Sequence, residues 1–105
     1  MSETRSVLDA SYRLKLIGVL GTAAGKREMI IEGEPGLALF DLISTVVARV
    51  NNRQFTELLV DSATNSPLPN VIILLNDQDC NLFKGLKTRL ESGTLVTIIP
   101  VAHGG

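Results

Sequence analysis

Apolar and polar positions alternate from Tyr12, with Tyr12, Leu14 and Leu16 on one face and Arg13 and Lys15 between them. Period two marks a half-buried strand, so Tyr12–Leu20 is predicted as the first strand. The small residues Gly21-Thr22-Ala23-Ala24-Gly25-Lys26 read as a turn, and Arg27–Glu32 as a second strand, giving a loosely connected hairpin. Gly33-Glu34-Pro35-Gly36 breaks that strand. Leu39, Phe40, Ile43, Val46, Val47 and Val50 then recur at three- and four-residue spacing, with Asp41, Ser44, Thr45 and Arg49 on the opposite side. That spacing predicts a helix, with Pro35 suited to its first turn and Asn51-Asn52 to its exit. Its many β-branched residues give modest propensity, so its stability must come from packing the stripe on a sheet.

The second half is less regular. Arg53–Asp61, with Phe55, Leu58 and Leu59, admits either a short strand or a helical turn. Ser62–Pro69 is a loop. Asn70–Asn76 is the most hydrophobic run and reads as a strand buried in part on both faces. A polar turn, Asn76–Asp79, leads to an irregular segment, Asn81–Leu90, whose Leu82, Phe83, Leu86 and Leu90 must send some apolar groups inward. After a turn at Glu91–Thr94, Leu95–Ile99 forms the last strand, and Pro100, which has no N–H, is expected to stop its ladder. The order predicts an α+β fold, a mixed sheet of four to five strands packed on one main helix. An apolar last strand belongs in the middle of a sheet, because at an edge it would invite aggregation. Placed beside the first strand, it produces a β-grasp arrangement.

Composition narrows the function classes. The 105 residues are 45% hydrophobic and 20% charged, which fits one globular domain. A net charge of -1 and a pI near 5.7 do not steer the chain to nucleic acid or an anionic membrane. Tyr12, Phe40, Phe55 and Phe83 are the only aromatics, too few for a base-stacking platform. A single cysteine, Cys80, excludes an internal disulfide and fits a reducing compartment. Residues 1–11 are polar and lack the apolar stretch of a signal peptide, and no run approaches membrane-spanning length, so a cytoplasmic location is expected. The expected organisation is a flexible lead-in at 1–11, a globular domain at 12–100 and a mobile tail at 101–105.

Few residues carry chemistry of their own. Cys80 has no base or orienting group nearby in sequence and reads as an ordinary thiol. Asp77 and Asp79 are too few for a calcium loop and read as a solvated turn. Lys15, Lys26, Lys84 and Lys87 are conceivable acceptors in chain formation, but ordinary solubility accounts for them. A two-iron electron carrier on this fold needs four cysteines and is excluded. The distinctive stretch is Thr97-Ile98-Ile99-Pro100-Val101-Ala102-His103-Gly104-Gly105, where a β-branched run meets a proline and closes in two glycines.

Three stretches resemble the ubiquitin-like sulfur carriers and small protein modifiers: Asn70–Asp77, Gly85–Thr94 and Val96–Gly105. That family includes the molybdopterin synthase small subunit, the ubiquitin-related modifier and the archaeal small modifiers. Its pattern there is a strand and asparagine turn, a leucine-bearing segment, then a strand, proline and Gly-Gly. Ile99 stands where molybdopterin-synthase small subunits usually carry phenylalanine, and His103 where they usually have no histidine. Pro100-Val101 is similar to the molybdopterin and archaeal branch, His103-Gly104-Gly105 to the ubiquitin-related branch, so the branch stays open.

The resemblance implies a β-grasp fold and a substrate role, not a catalytic one. A partner adenylyltransferase would use ATP to activate Gly105, with Gly104 supplying backbone freedom and Pro100, Val101, Ala102 and His103 read by the partner. The product would be a thiocarboxylate or an isopeptide. Further partners implied are a molybdopterin synthase large subunit, a tRNA-thiolating enzyme or target lysines, with no metal, no bound cofactor, no direct nucleic-acid contact and no membrane. The alternative is a non-conjugating interaction adaptor. The docking surface would be one face of the last strand, with Val96 and Ile98 on one side and Leu95, Thr97 and Ile99 on the other.

Overall fold

The computed structural model describes residues 9–101. Residues 1–8 of the lead-in expected at 1–11, and the tail residues Ala102, His103, Gly104 and Gly105, lie outside the described residues. Strand β1 is Ala10–Leu16, helix α1 Val19–Ala24, β2 Glu28–Gly33, α2 Leu39–Val50 and α3 Arg53–Leu59. Strands β3 (Val71–Leu75), β4 (Gln78–Asp79) and β5 (Leu95–Pro100) follow, with single 3-10 turns at Cys80–Leu82 and Gly85–Lys87 between β4 and β5. The five strands form one mixed sheet in the order β2-β1-β5-β3-β4. Strand β5 lies in the centre, parallel to β1 and antiparallel to β3.

The alternation in β1 does what its pattern predicts: Ala10, Tyr12, Leu14 and Leu16 are buried, and Ser11, Arg13 and Lys15 are exposed. Met29 and Ile31 of β2, Val71, Ile73 and Leu75 of β3, and Val96 and Ile98 of β5 complete the inner face. Against it α2 packs Leu39, Leu42, Ile43 and Val46, while α3 adds Phe55 and Leu59. Phe40, expected in the stripe, is 46% exposed. The inward arc runs 39, 42, 43, 46, and Phe40, one residue on from Leu39, is turned about 100° out of it.

Several expectations at element ends are corrected. The first strand begins at Ala10 instead of Tyr12 and ends at Leu16 instead of Leu20. Val19–Ala24, expected as strand end and turn, is a helix closed by Gly25 in the left-handed region, where its N–H bonds the Gly21 and Thr22 carbonyls. Six residues are too few for a 3.6-residue pattern to show. Pro35 is not in a helical first turn. It precedes Gly36 (φ 77°) in a tight turn, and the cap residue of α2 is Ala38. Asn51 does end α2, at φ 51°, while Asn52 opens α3 by accepting a bond from the Phe55 N–H at 2.9 Å. Asn76 and Asp77, both at positive φ, make the two-residue turn between β3 and β4.

Tyr12 joins the layers. Its fully buried hydroxyl donates to the Glu34 carbonyl at 2.7 Å and accepts from the Leu37 N–H at 3.4 Å. It thereby ties β1 to the turn that delivers α2. Tyr12→Phe keeps the ring but leaves these backbone groups short of a partner. It should lower unfolding free energy by about 1–3 kcal/mol, read as a lower urea midpoint at unchanged m-value.

Candidate functional site

The site is the place where β5 leaves the sheet. Backbone groups of alternate β5 residues point to opposite neighbours. The Asn76 N–H bonds the Leu95 carbonyl at 2.8 Å and the Val101 N–H bonds the Asn70 carbonyl at 3.0 Å, so odd-numbered residues face β3. On the other side the Arg13 N–H bonds Thr94 at 3.0 Å and the Ile17 N–H bonds Ile98 at 3.1 Å, so even-numbered residues face β1. Pro100 is even-numbered. Its missing N–H would point toward a β1 that has already ended at Leu16. The expectation that Pro100 stops the ladder is therefore corrected: it pairs in register with Val71, and the β3 side continues one residue further, to Val101.

Gly18 makes that gap. At φ 60° and ψ -130° it takes a conformation that a side chain strains, and it swings the chain out of β1 into α1. A Cβ placed there would meet the Pro100 ring at 3.7 Å, so the turn and the proline are direct neighbours. At the other end of β5, Asn76 accepts the Leu95 N–H on Oδ1 at 2.9 Å while its own N–H bonds the Leu95 carbonyl. These two hydrogen bonds to one residue set the register in which β5 runs to its exit.

The outer sheet face, left open by sequence, is resolved. Val96 and Ile98 pack inward; Leu95, Thr97 and Ile99 lie on the outer face, where Thr97 is itself buried and Leu95 and Ile99 are half-buried. Ile72 of β3, 42% exposed, lies opposite Ile99 in register, and Val101 is 37% exposed. Ile72, Ile99 and Val101 thus gather at the exit, with Leu74 half-buried beyond them and the exposed Arg13 and Lys15 on the flanking β1. Of the tail residues expected to act, Pro100 and Val101 are placed here; Ala102, His103, Gly104 and Gly105 lie beyond the described residues. Sequence reading did not single out Ile72, because five successive apolar residues in β3 hide the alternation of burial. It also passed over Gly18, whose only signal is a glycine directly after an alternating run.

Elsewhere the candidate chemistry stays quiet. Cys80 is fully buried; burial, and then the Asp79 charge, push its thiol pKa up, which keeps it protonated and unreactive. Asp79 accepts the Asn81 N–H at 2.8 Å, a turn role. Among the described residues no group of three or more His, Cys, Asp or Glu is placed to hold a metal, and no helix is long and apolar enough to cross a membrane. Lys15, Lys26, Lys84 and Lys87 are all exposed.

The family model of Urm1 (ubiquitin related modifier) matches residues 17–105. The chain belongs to that family. No curated protein matches it significantly. Among solved structures it is similar to small archaeal modifier protein 1 (SAMP1) from Methanosarcina acetivorans, at 22% identity and a TM-score of 0.76, covering 91% of this chain and 97% of that one. Urm1 from Trypanosoma brucei is similar at 21% identity and 0.74, covering 91% and 96%. A chain of the BexX/CysO complex from Amycolatopsis orientalis is similar at 22% identity and 0.67, covering 90% and 99%. At such identities the likeness establishes the fold, which is the β-grasp expected from element order.

Two substitutions separate the parts of the exit. Gly18→Ala should cost about 1–3 kcal/mol through backbone strain, whereas Pro100→Ala, with no partner for the restored N–H, should cost less than about 1 kcal/mol. Equilibrium denaturation of both variants measures the contrast. Cys80 should react with a thiol reagent at neutral pH only as fast as the protein unfolds, as shown by comparing its rate in buffer and in denaturant.

Proposed function

We propose that this protein is a carrier or modifier worked on through Gly105, and that it supplies a substrate, not a catalyst. The observation that carries this reading is the exit of β5. A central strand, held on both sides to Ile98 and on one side to Val101, delivers the chain to a run of residues ending in Gly104-Gly105. Membership of a ubiquitin-related modifier family supports the same reading, as do the modifier names of similar structures. Glycine without a Cβ passes where a side chain would clash, so Gly104 and Gly105 suit threading into a narrow active site.

The chemistry is then a partner's. A carboxylate is a poor electrophile, so the Gly105 carboxylate oxygen attacks the α-phosphorus of ATP on an adenylyltransferase, and pyrophosphate leaves. Sulfide-level sulfur from a donor enzyme attacks the acyl-adenylate carbon, expels AMP and leaves a thiocarboxylate. Alternatively a lysine amine takes the acyl group, with loss of AMP and a proton, and leaves an isopeptide. A thiocarboxylate would serve a molybdopterin synthase large subunit or a tRNA-thiolating enzyme. Ile72, Ile99 and Val101 form the docking patch that brings the partner to the exit, and Pro100, Ala102 and His103 are the recognition residues of the tail. ATP belongs to the partner; the carrier itself needs no metal and no bound cofactor.

Incubation with ATP, a sulfur donor and a matching activating enzyme, followed by intact mass, tests the reading. A gain equal to replacing one oxygen by sulfur, absent after deletion of Gly105, is expected for the carrier, and an isopeptide remnant on lysines for the modifier. If deletion of Gly105 leaves every partner interaction unchanged, the chain is an adaptor. Ile72→Asp should weaken activation about tenfold or more by placing a charge in the patch, without loss of fold by circular dichroism.

A further inference from the structure

The free edge of the sheet at β2 has the makings of a second binding site, two strands away from β5. Among the described residues, strand β2 lies at one end of the sheet, next to β1 alone. The Leu16 N–H bonds the Arg27 carbonyl at 2.7 Å, which fixes the phase of the β1–β2 ladder. With Leu14 opposite Met29 and Tyr12 opposite Ile31, the odd-numbered residues of β2 bond to β1. The main-chain N–H and C=O groups of Glu28, Ile30 and Glu32 therefore point away from the sheet, along its open side.

The side chains of the same three residues stand on the outer face. All are exposed, and Ile30, at 63%, is among the most exposed large apolar side chains of the described residues. Their sequence is acidic, apolar, acidic. An open edge with an exposed isoleucine is a template for another strand, and edges are commonly blunted by charge. Here the charges choose the guest. Antiparallel self-pairing centred on Ile30 would set Glu28 opposite Glu32 of the second copy, twice, and like charges directly opposite destabilise a ladder. A strand carrying basic, apolar and basic residues at every second position would instead meet each glutamate with a cation and Ile30 with an apolar group. The pattern reads the same in both directions, so it serves a parallel or an antiparallel guest.

We propose that the β2 edge binds an extended peptide segment of alternating basic–apolar–basic pattern by strand addition. Glu28 and Glu32 select the charges, Ile30 packs the central residue, and three outward pairs of backbone groups supply the hydrogen bonds. The inference does not depend on the role given to Gly105, since it uses neither the tail nor β5.

The test uses the full chain, labelled with nitrogen-15, and the capped synthetic peptide Ser-Lys-Thr-Ile-Thr-Lys-Ser at low ionic strength. Saturable shifts of the Glu28, Ile30 and Glu32 amides, with slowed hydrogen exchange at Ile30, are expected. The same peptide with both lysines replaced by glutamate should bind about tenfold more weakly, and the double variant Glu28→Lys, Glu32→Lys should reverse that preference. Ile30→Pro removes an outward N–H and no ladder bond, so it should abolish binding while keeping the fold. If that variant fails to fold, the charge reversal alone decides. Equal affinity for the two peptides, shifts centred on Ile72 and Ile99 instead, or a dimer of the free chain paired through this edge would each overturn the proposal.

Discussion

The structure depends on the slot occupied by β5. A late strand is inserted between an early one, β1, and a middle one, β3, and its backbone is bonded to each on alternate residues. Everything else answers to that insertion. Helix α2 can cover the sheet only because Val96 and Ile98 complete its inner face, and the outer face acquires its apolar corner only because Ile99 comes to rest opposite Ile72. Asn76 sets the start of the insertion by holding Leu95 through both backbone and side chain. Gly18 defines its finish by taking the chain away from Pro100. Register at one end therefore determines position at the other, where the tail begins.

The two layers also need a fastener, since the sheet is made from distant parts of the chain while α2 is reached through a short turn. Tyr12 is that fastener. It is an aromatic body in the core with a polar end that meets the backbone of the turn before α2. Such a residue is read easily as a strand position, but its hydroxyl partners, Glu34 and Leu37, cannot be inferred from spacing alone.

Much of the fold was legible. The alternation of β1 and the helical stripe of α2 each carried its own period, and burial enforces those periods, while the final strand was legible by its apolar composition. Where the sequence misled, a rule lacked its geometric context. Pro100 was treated as a ladder breaker, yet whether a missing N–H matters depends on which neighbour that residue faces. Val19–Ala24 was too short to show a face, and its helix is defined by the glycines at its ends. The candidate site was legible in kind but not in place: residues Pro100 to Gly105 drew notice by composition, whereas Ile72 enters only through the register of β3 with β5.

The way β5 is held has a mechanical consequence. A partner that draws the chain beyond Val101 toward itself pulls along the axis of β5. The bonds to β3 and β1 lie across that axis, so the load falls on them together, in shear, and not one after another as in peeling an edge strand. The chain can therefore be tugged by its end with the globe serving as an anchor. A terminal strand at the rim would unzip under the same pull.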